Sequence, residues 1–128
     1  MRGQQRSRVL QRQRAQRRGK RAEWLCVWHL RLRGWRIVAR GWRCPAGELD
    51  IVAKRGGILA IIEVKSRDEL AVAAAALPPR QRRRVTRATE AFLNAHPQFA
   101  SATLRFDLML VVRHRLPQHQ RDAWRADS

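Results

Sequence analysis

The residues best suited to chemistry lie between Gly47 and Lys65: GELD at 47–50, then IVAK, then the glycine pair Gly56–Gly57, then ILAIIEVK at 58–65. Two runs rich in branched apolar side chains, joined through Arg55-Gly56-Gly57, predict a β-hairpin. A two-residue glycine loop sets Arg55 against Ile58, which places Asp50 opposite Glu63 and Glu48 opposite Lys65. A four-residue loop gives the same pairing. One face then carries Glu48, Asp50, Val52, Ile61, Glu63 and Lys65, and the other carries only Leu49, Ile51, Ala53, Ala60, Ile62 and Val64. A three-residue loop would push Asp50 or Glu63 into the core, and the cost of burying a charge argues against it.

Carboxylates opposed across a ladder have Cβ atoms about 4.5 to 5.5 Å apart and repel unless something positive lies between them. A divalent cation meets that need, and hard oxygen ligands favour Mg²⁺ or Mn²⁺, which bind through one or two carboxylates, waters and a substrate phosphate. Lys65 projects from the same face, where its ammonium can hold an attacking water and offset charge on a phosphate, or its neutral amine can take the proton of that water. Asp50, Glu63 and Lys65 therefore read as a site for phosphodiester hydrolysis. The same residues also fit a solvated salt-bridge face, with Lys65 paired to Glu48 or Glu63. Glu23 is the only acid in the first 47 residues and sits at the edge of a helical stripe, where it suits either the site or an arginine partner.

The elements that must position these groups follow from periodicity. Leu25, Trp28 and Leu32, flanked by Trp24, Val27 and Leu30, predict a helix over 19–33 that Gly34 stops. Residues 35–44 predict a strand with Trp35, Ile37 and Ala39 on one face and a bulge at Gly41, after which Trp42 has the opposite parity. AVAAAAL at 71–77 is a small-residue loop. Pro78-Pro79 opens a second helix to about Ala95, with Val85, Ala88 and Phe92 as its apolar stripe. ATLRFDLMLVV at 102–112 is a last apolar strand, and Trp124 closes the sheet through a short edge strand. The order α-β-β-β-α-β predicts an α/β fold around one mixed sheet. A basic arm at 1–18, disordered or frayed, precedes a single domain at 19–112, and a polar extension follows at 113–128.

The chain of 128 residues carries 28 Lys plus Arg against 10 Asp plus Glu, a formal charge of +18, which makes polyanions its natural partners. Nine cations fall in the first 22 residues, so the remaining 106 hold the other half of the charge and the body is itself basic. On the second helix Arg80, Arg83, Arg84 and Arg87 form a stripe away from the apolar side that can follow a phosphate backbone. Gln81 falls near the apolar side and faces either the site or its own helix start. Asp107 reads as structural, paired with Arg105 or an arginine of the C-terminal extension. The tryptophans read mainly as core residues rather than stacking platforms. Cys26 and Cys44 lack metal-ligand or disulfide spacing, which fits a reducing cytoplasm, and the four histidines show no pairing that would hold a metal. No apolar stretch follows the basic arm, so neither a membrane segment nor a secretory leader is expected.

With RAEWLCVWHL, GWRIVARGWRC, GELDIVAK, IIEVKSR, PPRQRRR and RFDLMLV in that order, the chain resembles the uncharacterised YraN-type bacterial family. That family is similar to the PD-(D/E)xK, restriction-endonuclease-like nucleases, including Holliday junction resolvases. The resemblance implies a mixed sheet flanked by helices and a Mg²⁺- or Mn²⁺-dependent site. Asp50 and Glu63 would ligate the metal together with the Val64 carbonyl, Lys65 would be the catalytic lysine, and Glu23 would assist the water on the metal. The expected substrate is DNA ahead of RNA, in a branched or damaged structure, since no sequence-reading module is present; pairing of two copies to cut two strands is compatible with this fold. The competing expectation is a noncatalytic nucleic-acid-binding or assembly-associated protein whose tail and arginine stripe suffice.

Overall fold

The computed structural model describes residues 2–67 and 77–126, with side chains described at 5–10 and from Gly19 onward. Most of the expected small-residue loop, 71–76, lies outside the described residues. The elements are α1 (Arg2–Leu32), β1 (Arg36–Cys44), β2 (Gly47–Arg55), β3 (Ile58–Arg67), α2 (Pro79–Ala95), a 3₁₀ turn (Pro97–Phe99), β4 (Thr103–Val112) and β5 (Gln118–Trp124). The five strands form one mixed sheet in sequence order, parallel between β3 and β4 and antiparallel elsewhere. The expected α/β architecture is found, with α1 and α2 packed into separate apolar clusters against the sheet.

Helix α1 begins at Arg2 rather than at Gly19. The Arg and Gln content of the arm gives it good helix propensity, and no proline interrupts it. The helix ends as its glycine predicts. Gly34 takes a left-handed φ of +85°, Trp35 N–H donates to the Leu30 carbonyl at 3.0 Å, and Gly34 N–H donates to that of Arg31 at 3.1 Å. Trp35 and Leu30 share one core cluster, which completes the Schellman arrangement.

The buried face of α1 differs from the expected one. Ala22, Cys26, Val27 and Leu30 face the sheet, whereas Leu25, Trp28 and Leu32 of the predicted stripe are exposed, as is Trp24. Ala22 and Cys26 are small, so the helix axis can approach the strands closely. They pack there with Ile51, Ala53, Ala60, Ile62 and Met109.

The β2–β3 hairpin has the predicted register, Arg55↔Ile58 through Ile51↔Ile62, turning on Gly56 with φ +58°. Both of its faces are covered, which corrects the expectation of one polar face. Val52 and Ile61 are fully buried with Val85, Ala88 and Phe92 of α2. Leu49, expected on the face of Ile51, instead joins that same α2 cluster. The irregularity in β1 falls between Ile37 and Ala39, not at Gly41, and brings Ala39 to the α2 side; Gly41 adopts φ +56° with no register shift.

Helix α2 starts with proline in its first turn, as predicted, and buries Val85, Ala88, Thr89 and Phe92. It ends at His96, whose Nδ1–H donates to the Phe92 carbonyl at 2.9 Å and whose ring stacks on Phe92 at 4.1 Å. β5 supplies the edge strand, and Trp124 stacks on Phe106 at 4.1 Å. No described helix is long and apolar enough to cross a membrane.

Candidate functional site

The hairpin ladder stops at Ile51↔Ile62, one step before the two carboxylates that the sequence sets opposite one another. Asp50 takes over the pairing with its side chain, and Oδ2 accepts the Val64 N–H at 2.9 Å. Glu63 is buried at 4% exposure and hydrogen-bonds Asp50, while its Oε1 has no partner among the described residues. Burial, then the charge of Asp50, lifts the Glu63 carboxyl well above the usual range. Burial also raises Asp50, against the lowering effect of the Val64 N–H and of the hydrogen bond from Glu63. Without a cation, burial and mutual repulsion therefore disfavour ionising both carboxyls of the pair, and Glu63 more strongly than Asp50.

Glu23 approaches this pair from α1. Its carboxyl is raised by burial and by the charges of Asp50 and Glu48, and lowered by Arg40, whose Nε lies 3.7 Å from Oε1. Glu23 thus has both of its expected relationships, an arginine partner and the carboxylate cluster. Cys26, one turn along α1 in the core cluster and given no role from sequence, lies within reach of the charges of Glu23 and Asp50. Its thiol is fully buried and is pushed up to about 12 by burial and by the charges of Glu23 and Asp50. Such a thiol is inert.

Lys65 is half-buried on β3, two residues beyond Glu63, and burial followed by the charge of Arg67 lowers its ammonium pKa. The expected ladder pairing of Glu48 with Lys65 is not formed, because that ladder has already ended. Glu48 pairs with Arg43 of β1, Oε2 to Nε at 3.5 Å, and raises the pKa of its acidic neighbours. A Cβ on Gly41 would lie 3.3 Å from Glu48 Oε1, so Gly41 clears space for this acid as well as supplying the left-handed turn. Between α1 and the β1–β2 end an open cleft of about 770 Å³ is lined by Lys20, Glu23, Trp24, Arg40, Arg43 and Glu48.

Arg80, Arg83, Arg84 and Arg87 are all exposed on α2. A Cβ at Gly47 would lie 3.8 Å from that of Arg84, so the basic stripe passes the start of GELD. Gln81 is also exposed rather than turned toward the sheet.

Among the described residues, no group of three or more His, Cys, Asp or Glu side chains has the arrangement of a metal site. A two-carboxylate set still fits Mg²⁺ or Mn²⁺, which keep several waters. Asp50 and Glu63 have the required donor chemistry, and the orphaned Glu63 Oε1 is an oxygen that a cation would satisfy.

Asp107 proves structural, with more partners than its sequence neighbours predicted. It is fully buried and accepts two hydrogen bonds from Arg105 at 2.9 Å, one from His119 Nε2 at 2.7 Å and one from the Asp122 N–H at 2.9 Å. Burial would raise its pKa, but the bonds from His119, Arg105 and Asp122 outweigh that and bring it below the usual range. His119, given no role from sequence, closes this network.

Taken together, the fold and site define a small α/β protein with an acidic cluster at the splayed end of a hairpin and a basic helix beside it. The chain belongs to the uncharacterised protein family UPF0102, whose model matches residues 22–111. It is 53% identical over 111 residues to a UPF0102 protein of Parvibaculum lavamentivorans, covering 87% of this chain and 84% of the relative. A UPF0102 protein of Paramagnetospirillum magneticum is 50% identical over 119 residues, covering 90% and 92% respectively. The span matched by the family contains Asp50, Glu63, Lys65 and Glu23 but not the arginine-rich arm.

Proposed function

We propose that this protein is a metal-dependent nuclease that hydrolyses phosphodiester bonds in DNA, acting on branched or damaged structures. The observation that carries the reading is the buried Asp50–Glu63 pair with an unsatisfied carboxylate oxygen, on a protein of charge +18. Asp50 and Glu63, with the Val64 carbonyl, would hold Mg²⁺ or Mn²⁺. When bound, the metal supplies Lewis acidity toward the phosphoryl oxygens. The Val64 N–H keeps the Asp50 carboxylate oriented, and Glu63 gives up its proton on binding.

Lys65 faces the charge that develops on the scissile phosphate. Its lowered pKa enlarges the neutral fraction that can accept a proton from the attacking water. Glu23, which feels the charge of Asp50, helps orient that water. Arg80, Arg83, Arg84 and Arg87 bind the phosphate backbone without reading sequence. The test is cleavage of branched, nicked and single-stranded DNA with Mg²⁺ or Mn²⁺ by the wild type, Glu63→Ala and Lys65→Ala. Cleavage by the wild type and its loss in both variants at unchanged DNA affinity is expected. Equal cutting by all three would refute the assignment, and binding without cutting under either metal would favour the noncatalytic reading.

A further inference from the structure

The last turns of α1 expose an apolar stripe. Trp24, Leu25, Trp28 and Leu32 recur at helical spacing and are 48%, 51%, 52% and 81% exposed. The indoles of Trp24 and Trp28 lie 6.0 Å apart, centroid to centroid. Each carries a guanidinium, Arg40 at 4.7 Å from the Trp24 ring and Arg31 at 5.6 Å from that of Trp28. Trp24 also lines the cleft that holds Glu23 and Glu48. The aromatic pair therefore begins at the rim of the cleft that holds two of the acids near the Asp50–Glu63 pair.

Charge decides what covers this face. Glu23 is the only acid of α1, against ten Arg and Lys residues, so a second α1 laid on the stripe would bring two dense sets of cations together. A polyanion that also offers flat π faces satisfies both the indoles and the guanidinium groups. Duplex bases are already stacked on one another, so only unpaired nucleotides present such faces.

We propose that Trp24 and Trp28 form a stacking platform for unpaired nucleotides and hold a single-stranded stretch beside the cleft, with its phosphates on Lys20, Arg31 and Arg40. The inference rests on the nucleic-acid reading above and narrows its substrate class to nucleic acids with a single-stranded segment next to the site.

Binding is measured without metal, in chelator, by fluorescence anisotropy of a labelled thymidine homopolymer and of a duplex of equal length. The proteins are the wild type, Trp24→Ala/Trp28→Ala and Trp24→Phe/Trp28→Phe. The Ala pair should lose roughly tenfold or more in single-strand affinity and about twofold or less in duplex affinity, with the Phe pair restoring most of the loss. An unchanged single-strand affinity, or an equal loss on both ligands, overturns the platform. Wild type that binds neither ligand overturns the nucleic-acid reading with it, whereas a failure to cleave in metal leaves the platform standing. Sedimentation showing a wild-type dimer that the Ala pair dissolves would assign the face to a second copy and contradict the proposal.

Discussion

The carboxylate of Asp50 accepts the backbone N–H of Val64 at 2.9 Å, immediately beyond the last ladder pair of the hairpin. This hydrogen bond lets β2 and β3 separate without stranding a buried donor, and it holds Asp50 against Glu63. The acid pair therefore arises from where the ladder ends as much as from the register that precedes it.

Glu63 makes the stability of the metal-free protein fall as pH rises. Its folded-state pKa lies above its unfolded value of about 4.3, so its stabilising contribution is complete below that value and is lost as pH rises through the folded-state pKa. Thermal melts in chelator should show the midpoint falling over that window, and Glu63→Gln should flatten the fall. A parallel pH dependence in the variant would show that Glu63 is not the group responsible.

Asp107 has the opposite sign. Its pKa is lowered in the folded state, so its contribution is present above the unfolded value of about 3.9 and is lost as pH falls through the folded-state value. Asp107→Ala leaves Arg105 and the nearly buried His119 without their acceptor and should cost about 3–5 kcal/mol in urea unfolding. A loss under about 1 kcal/mol would mean that the network is dispensable.

Gly41→Ala should destabilise by about 1–2 kcal/mol, because φ +56° is costly for an L side chain. Its new Cβ would also press on Glu48 Oε1. Adding Glu48→Ala should recover only the steric share, which a double-mutant cycle in urea can read. Full recovery would mean that the backbone conformation contributes nothing.

Replacing Arg83 or Arg87 with Ala should weaken DNA binding uniformly across sequences, reducing the slope of log affinity against log salt by about 0.9 for each duplex phosphate that is no longer neutralised. Their exposure keeps the stability change within about 0.5 kcal/mol. An unchanged slope would remove the α2 stripe from the interface.

The hairpin register, the α2 boundaries, the Gly34 stop and the edge strand were legible in the sequence because each depends on local turn chemistry or short-range alternation. The buried face of α1 was not, since two faces of that helix offer apolar residues. The buried one is the face whose Ala22 and Cys26 permit close approach to the sheet. The partners of Asp107 were hidden for a different reason: His119 and the Asp122 N–H come from β5, brought alongside β4 only by the fold. Within the candidate site, the closeness of Asp50 and Glu63 was legible from spacing, whereas the pairing of Glu48 depended on where the ladder ends.

The most direct test of the central claim is Mn²⁺ titration calorimetry on the wild type and on Asp50→Ala, with no nucleic acid present. Saturable binding by the wild type is expected, with proton release that grows as pH falls toward the range where Glu63 is protonated, and with loss of binding in the variant. Equal binding by both proteins would place the metal elsewhere and contradict the assignment of Asp50 and Glu63 as its ligands.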